Sequence, residues 1–149
     1  MATHSAADLV AKIALSCKNA RCEVGIFRNT TVCYLWEVNV GSEEIQLALS
    51  LDCDRDFGES CMSFFIRRST VKIDANCRKK VYEKIEKDCN MGSLGFRIEK
   101  VGGPYHKFWK AIGSEDPSQA MINMKGKIDG KMGDICNVLN GCRNELMGK

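Results

Sequence analysis

Between Thr31 and Cys53 the chain alternates twice. Val32, Tyr34, Trp36, Val38 and Val40 are apolar at every second position, and the odd positions between them include Thr31, Glu37 and Asn39. That period of two is the period of a strand with one buried face. The phase then reverses. Ile45, Leu47, Leu49, Leu51 and Cys53 become the apolar positions, with Glu44, Gln46, Ala48, Ser50 and Asp52 between them. Gly41-Ser42-Glu43 separates the runs and reads as a short hairpin loop. A slip of one residue would turn either apolar row to the other side, so the register is strongly specified. A lone two-stranded ribbon is marginal in water. The rest of the chain is therefore expected to cover this face.

The flanking segments supply candidates. Ser5-Ala-Ala-Asp8 is a capping-box-like start, and Leu9, Val10, Ile13 and Cys17 follow at helical spacing. Cys22 to Arg28 is expected as a first strand. Cys61 to Arg68 is expected as a fourth, with Met62, Phe64 and Ile66 on one side. Asp74 caps a helix from Ala75 to Cys89, whose stripe is Cys77, Val81, Ile85 and Cys89. Its other face carries Arg78, Lys79, Lys80, Glu83, Lys84, Glu86 and Lys87. Leu94 to Val101 reads as a fifth strand and Tyr105 to Ile112 as a sixth. Asp116-Pro117-Ser118-Gln119 then opens a last helix, with Asp at the N-cap, Pro at N1 and Gln at N3. It runs to residue 140 or beyond. The order α-β-β-β-β-α-β-β-α predicts a single α+β domain over 1–149. Its sheet is mainly antiparallel with five to six strands, and the helices lie on one face.

Composition adds limits. The chain has 149 residues, 44% apolar and 28% charged, ordinary for one globular domain. No apolar run approaches the ~20 residues of a membrane span. The first twenty residues have neither a basic region nor a long apolar stretch, so no secretory signal is expected. There are nine cysteines, none spaced as C-x-x-C. An odd count without a secretory signal points to thiols in a reducing cytoplasm, most of them small core residues.

Most of the chemistry tested against the sequence falls away. Asp52, Asp54 and Asp56 begin like a calcium loop, D-x-D-x-D, but Gly58 comes one position late and Ser63 stands where the bidentate Glu belongs. The three aspartates are weak metal candidates, and a solvated turn is the plainer reading. His106 lies among Tyr105, Phe108 and Trp109, a group expected to seal one end of the sheet. An acid-base role would require a partner within hydrogen-bond reach. No GxGxxG, GxxxxGK[ST] or GxSxG occurs. No catalytic residue and no cofactor are expected. The lysines of the second and last helices are interleaved with acids, which weakens a nucleic-acid reading, and a net charge of +3 adds little to it.

The element order is similar to that of bacterial type III secretion chaperones, which bind other proteins without catalysis. The stretch VGGPYHKFWKAI before an Asp-Pro helix start resembles the region after the catalytic core of some phage-type nucleases. Their proline-acid and acid-x-lysine motif is missing here. Neither likeness carries over any residue, because a shared fold does not transfer a function.

The last helix holds the sharpest functional signal. At 100° per residue Met121, Met124, Ile128, Met132, Ile135 and Leu139 share one stripe. Gln119, Asn123, Gly126, Gly130, Gly133 and Asn137 fall opposite, with Lys125, Lys127, Asp129, Lys131 and Asp134 on the flanks. Each glycine costs ~1 kcal/mol against alanine in a helix interior. Close approach of another backbone is one situation that offsets it. A continuous helix to Asn140 is ~36 Å long, against about 38 Å for the whole domain. The alternative is a helix broken at Gly126 or Gly130. The expectation is a cytoplasmic protein-binding module of bacterial or phage origin, an inhibitor, immunity protein or chaperone. It docks another protein, or a second copy of itself, on the last helix, with no membrane role. A nucleic-acid-associated accessory domain is the second expectation and a small enzyme the third.

Alkylation of the denatured, unreduced chain is expected to modify close to all nine cysteines. Several thiols protected until a reductant is added would overturn the cytoplasmic reading.

Overall fold

The alternation at 31–52 folds as two ten-residue strands within a larger sheet. The computed structural model describes residues 22–27, 31–52, 60–70, 72–100, 105–113 and 115–146. The strands are β1 (Cys22–Phe27), β2 (Thr31–Val40), β3 (Glu43–Asp52), β4 (Ser60–Ser69), β5 (Arg97–Lys100) and β6 (His106–Gly113). All neighbours are antiparallel, in the order β1-β2-β3-β4-β6-β5. Helix α1 (Ala75–Cys89) separates β4 from β5, α2 (Pro117–Gly141) follows β6, and a single turn, α3 (Arg143–Leu146), comes after it. The chain is α+β with an antiparallel sheet. The expected first helix and the segment holding Asp54 and Asp56 lie outside the described residues.

The hairpin loop is two residues, Gly41-Ser42, one fewer than expected. Gly41 takes φ 64, the left-handed region that glycine enters without steric cost. An added Cβ would also meet the end of the Arg143 side chain, which is exposed and able to swing aside, so the backbone conformation is what calls for glycine.

Both helix starts follow their sequence signals. The Asp74 carboxylate accepts from the Cys77 N–H at 2.7 Å, and that of Asp116 from the Gln119 N–H at 3.1 Å. Each satisfies one of the orphan donors of a first turn. Helix α1 ends at Asn90, which adopts φ 53 and donates its N–H to Glu86 O at 2.9 Å. The strand expected from Leu94 starts later. Met91–Leu94 is a 3-10 turn, Gly95 takes φ 93, and pairing begins at Arg97.

The even residues of β2 and the odd residues of β3 build the core. Tyr34, Trp36, Val38, Leu47, Leu49 and Leu51 share one cluster with Phe64 and Phe108. Val81, Tyr82 and Ile85 of α1 and Met121, Met124, Ile128, Ile135 and Leu139 of α2 complete it. Both helices thus bury their stripes on the same side of the sheet. Met132 is only half-buried. A bulge near Gln46/Leu47 shifts the pairing with β4. Beside it the Ile66 N–H donates to the Tyr82 hydroxyl at 2.9 Å. Burial pushes the Tyr82 phenol above its ordinary pKa, so it is a neutral partner for that amide.

Two expectations are corrected. The second face of the hairpin is not uniformly polar. Cys33 and Ala48 are 0% exposed and Leu35 9%, and Phe65 of β4 packs with them. These side chains are short or apolar, so the centre of this face is dry while its end at Glu37 and Asn39 is exposed. The aromatic group around His106 is also split. Phe108 enters the core, 5.3 Å from Tyr82 and 6.3 Å from Phe64 between ring centroids. Strand alternation turns Trp109 to the second face, and Tyr105 is exposed beside the guanidinium of Arg78.

In urea unfolding, Trp36→Ala is expected to cost ~3–5 kcal/mol and Leu35→Ala ~2–4 kcal/mol, because both faces are buried there. Glu37→Ala should stay within about 0.5 kcal/mol. A Leu35→Ala change as mild as Glu37→Ala would show that the second face is open.

Candidate functional site

Helix α2 runs unbroken for 25 residues from Pro117 to Gly141, about 37 Å at 1.5 Å per residue. The break considered at Gly126 or Gly130 does not occur. Its apolar stripe fixes which way it faces. With Met121, Ile128, Ile135 and Leu139 fully buried, Gln119, Asn123, Gly126, Gly130, Gly133 and Asn137 all come to the exposed side. Gly141 extends the row.

Among the described residues nothing explains these glycines. An added Cβ at Gly126, Gly130, Gly133 or Gly141 meets nothing within 4 Å. Gly126, Gly130 and Gly133 sit in helical backbone without positive φ, so no local geometry requires them. At ~1 kcal/mol each against alanine, they weaken an element that closes the core. Gln119 and Asn123 are the polar part of the row, and the Gln119 amide donates to the Asn123 side-chain oxygen at 2.9 Å.

The flanks are held differently from the expectation of charged, solvated edges. Lys125 is buried. Its Nζ lies 2.7 Å from the Asp129 carboxylate, one turn on, and 6.0 Å from the Tyr34 ring centroid. The other Asp129 oxygen accepts from Trp36 Nε1 at 2.9 Å. The lysine stem lies along apolar surface while its ammonium reaches a carboxylate. On the opposite flank Lys131 Nζ donates to the Cys89 carbonyl at 2.7 Å. That puts a cation at the carbonyl end of α1, where the helix dipole favours it. Burial, with help from Asp134, raises the Cys89 thiol above its ordinary pKa.

Next to this flank α1 and α2 enclose an open groove of about 440 Å³. Lys84 and Asp88 line it from α1, and Asp134, Asn137 and Gly141 from α2. Two positions of the glycine row, Asn137 and Gly141, thus form one wall of the groove. The surface as a whole is flat along the row, polar at its ends and of mixed charge in the groove. Such a surface can admit a second backbone closely and hydrogen-bond to it.

The other candidates are not gathered here. His106 is half-buried at the start of β6, opposite Lys100. Asp52 ends β3, while Asp54 and Asp56 lie outside the described residues. Cys33, Cys61, Cys77, Cys89, Cys136 and Cys142 are thiols rather than disulfides. The Trp36–Asp129–Lys125 link was missed in the sequence. The i, i+4 spacing of Lys125 and Asp129 was a visible signal for half of it.

Gly130→Ala is expected to raise stability by ~0.5–1 kcal/mol in thermal or urea unfolding. A loss of stability would mean that the site is crowded. No protein-family model matches this chain, no curated protein is similar to it, and no solved structure matches its fold.

Proposed function

We propose that this chain is a small cytoplasmic protein-binding module of the inhibitor, immunity-protein or chaperone type. It acts by surface complementarity and performs no catalysis. The docking surface is the back of α2, formed by Gln119, Asn123, Gly126, Gly130, Gly133 and Asn137. The observation that carries the reading is the open space at three helical glycines. Packing among the described residues does not account for them, whereas a partner backbone lying on the row would. The groove beside Asn137 and Gly141 supports the same reading, since it offers a recess next to the flat row. A segment carrying both charges would match its Lys84, Asp88 and Asp134 walls. The partner is another protein or a second copy of the chain.

The test is steric. Wild-type chain purified from its own cells is expected to carry a protein partner, or to show the mass of a dimer by light scattering. Gly130→Arg should keep the wild-type circular dichroism and melting curve, because the site is open, and should lose that partner or dimer. Gly133→Leu should behave likewise. A folded Gly130→Arg chain with unaltered size and partner would rule out this surface.

A further inference from the structure

The second face of the sheet, away from α1 and α2, changes character from one side to the other. Around β2 and β3 it is the small, dry cluster of Cys33, Leu35 and Ala48. Around β4, β6 and β5 it carries large rings and cations. Trp109 of β6 stands opposite Arg97 of β5 and opposite Ser63 of β4. The Arg97 guanidinium lies over the Trp109 ring, 4.9 Å from its centroid. Phe65 is the next outward residue of β4 after Ser63, and Lys107 Nζ lies 4.3 Å from its centroid. Trp109 and Phe65 are diagonal neighbours across two strands, about 7–8 Å apart. Arg67 follows along β4, its guanidinium donating to Gln46 at 2.6 Å.

We propose that this β4-β6-β5 corner binds single-stranded nucleic acid, with a base stacking at Trp109 and Arg97 meeting the backbone phosphate. Both rings are half-buried, so the sheet holds them in place, and cations cover their outer sides. Bases stack on aromatic rings and equally on guanidinium planes, in any sequence, since every base has a π face. A base can therefore take the place of Arg97 on Trp109 or stack on the guanidinium itself. Arg97 is suited to both. Its side chain is 66% exposed and Glu99 engages only Nε, at 3.0 Å. Its terminal N–H groups point to the fork geometry that suits phosphate. Among the described residues Arg67, Arg97 and Lys107 share this corner with Glu99, and Glu37 of β2 acts on Arg67 from the side; the three cations outnumber the two acids, which favours a polyanion. By contrast, the basic residues of α1 are interleaved with acids, and Arg78, the one that lies over an exposed ring, Tyr105, already donates to the Ile73 and Ile66 carbonyls. This corner lies across the sheet from α2, so the inference stands or falls separately from the docking surface proposed there.

The chain has two tryptophans, and Trp36 is buried at 2% exposure. Tryptophan fluorescence therefore separates a stacking contact at Trp109 from mere attraction. The probe is a mixed-sequence, fluorescein-labelled oligonucleotide of about 12 nucleotides, read by anisotropy and by quenching. The full chain is expected to bind it, to quench, and to weaken steeply with salt. The same sequence as a duplex should bind more weakly without quenching. Trp109→Ala should weaken binding roughly 5- to 100-fold, the range of one lost stacked base. Arg97→Gln, at an exposed side chain that leaves folding intact, should weaken it and flatten the salt dependence. Trp109→Phe should keep most of the affinity while losing the quench. Lys79→Gln on α1 should change nothing. No binding at low salt would overturn the proposal. So would equal binding of duplex without quenching, or folded Arg97→Gln and Trp109→Phe chains that both behave as wild type.

Discussion

A buried indole N–H has to be answered, and in this fold the answer sets the orientation of the last helix. Trp36 sits at the centre of the hairpin, edge-on to Phe64 at 5.9 Å between centroids. Its Nε1 donates to Asp129, which Lys125 neutralises from the same helix. Leaving any one of the three without its partner would cost on the order of 1–3 kcal/mol. Hydrophobic burial alone would let α2 rotate by some degrees over the sheet. A directed hydrogen bond from a rigid ring does not. With Asp129 held against Trp36, the glycine row can only face outward.

The same constraint ties together features that are far apart in sequence. Lys131 on the other flank anchors α2 to the end of α1, and Tyr82 anchors α1 to β4 through the bulge. The layer of helices is thus pinned to the sheet by polar contacts at chosen points and by apolar packing between them. That arrangement leaves two surfaces of different kinds. The helix side presents a smooth row of small residues. The sheet side presents rings and cations on a fixed lattice of strands.

What could be read from the chain and what could not follow from the range of the interactions. Hairpin register, both described helix starts and the apolar stripe of α2 are local patterns, with periods of two or about 3.6 residues, and they were legible. The position of the glycine row followed from the same periodicity. The dry centre of the second face was not legible, because Cys33 and Ala48 occupy the strand face that also carries Thr31, Glu37, Asn39, Glu44, Gln46 and Ser50 and so look like the exposed half of an alternation. They share a cluster with Leu35 and with Phe65 of β4, a neighbourhood that only the sheet assembles. The bulge, the inward turn of Lys125 and the separation of Phe108 from Trp109 have the same origin. Each is settled by a residue many positions away. The ring-and-cation corner is a further case, since Arg97, Trp109 and Phe65 come from three strands that only the sheet brings together.

The partner of Trp36 lies 93 residues further along the chain, and this has a consequence for how the protein is made. At 5–20 residues per second of synthesis, roughly 5–20 s separate Trp36 from Asp129 at the ribosome. During that interval the apolar rows of β2 and β3 have been made, but the helix that covers them has not. Contacts so distant in sequence also close slowly. The nascent chain therefore passes through a stage in which its greasiest surface is uncovered, and any chaperone or neighbouring chain meets that surface before α2 does.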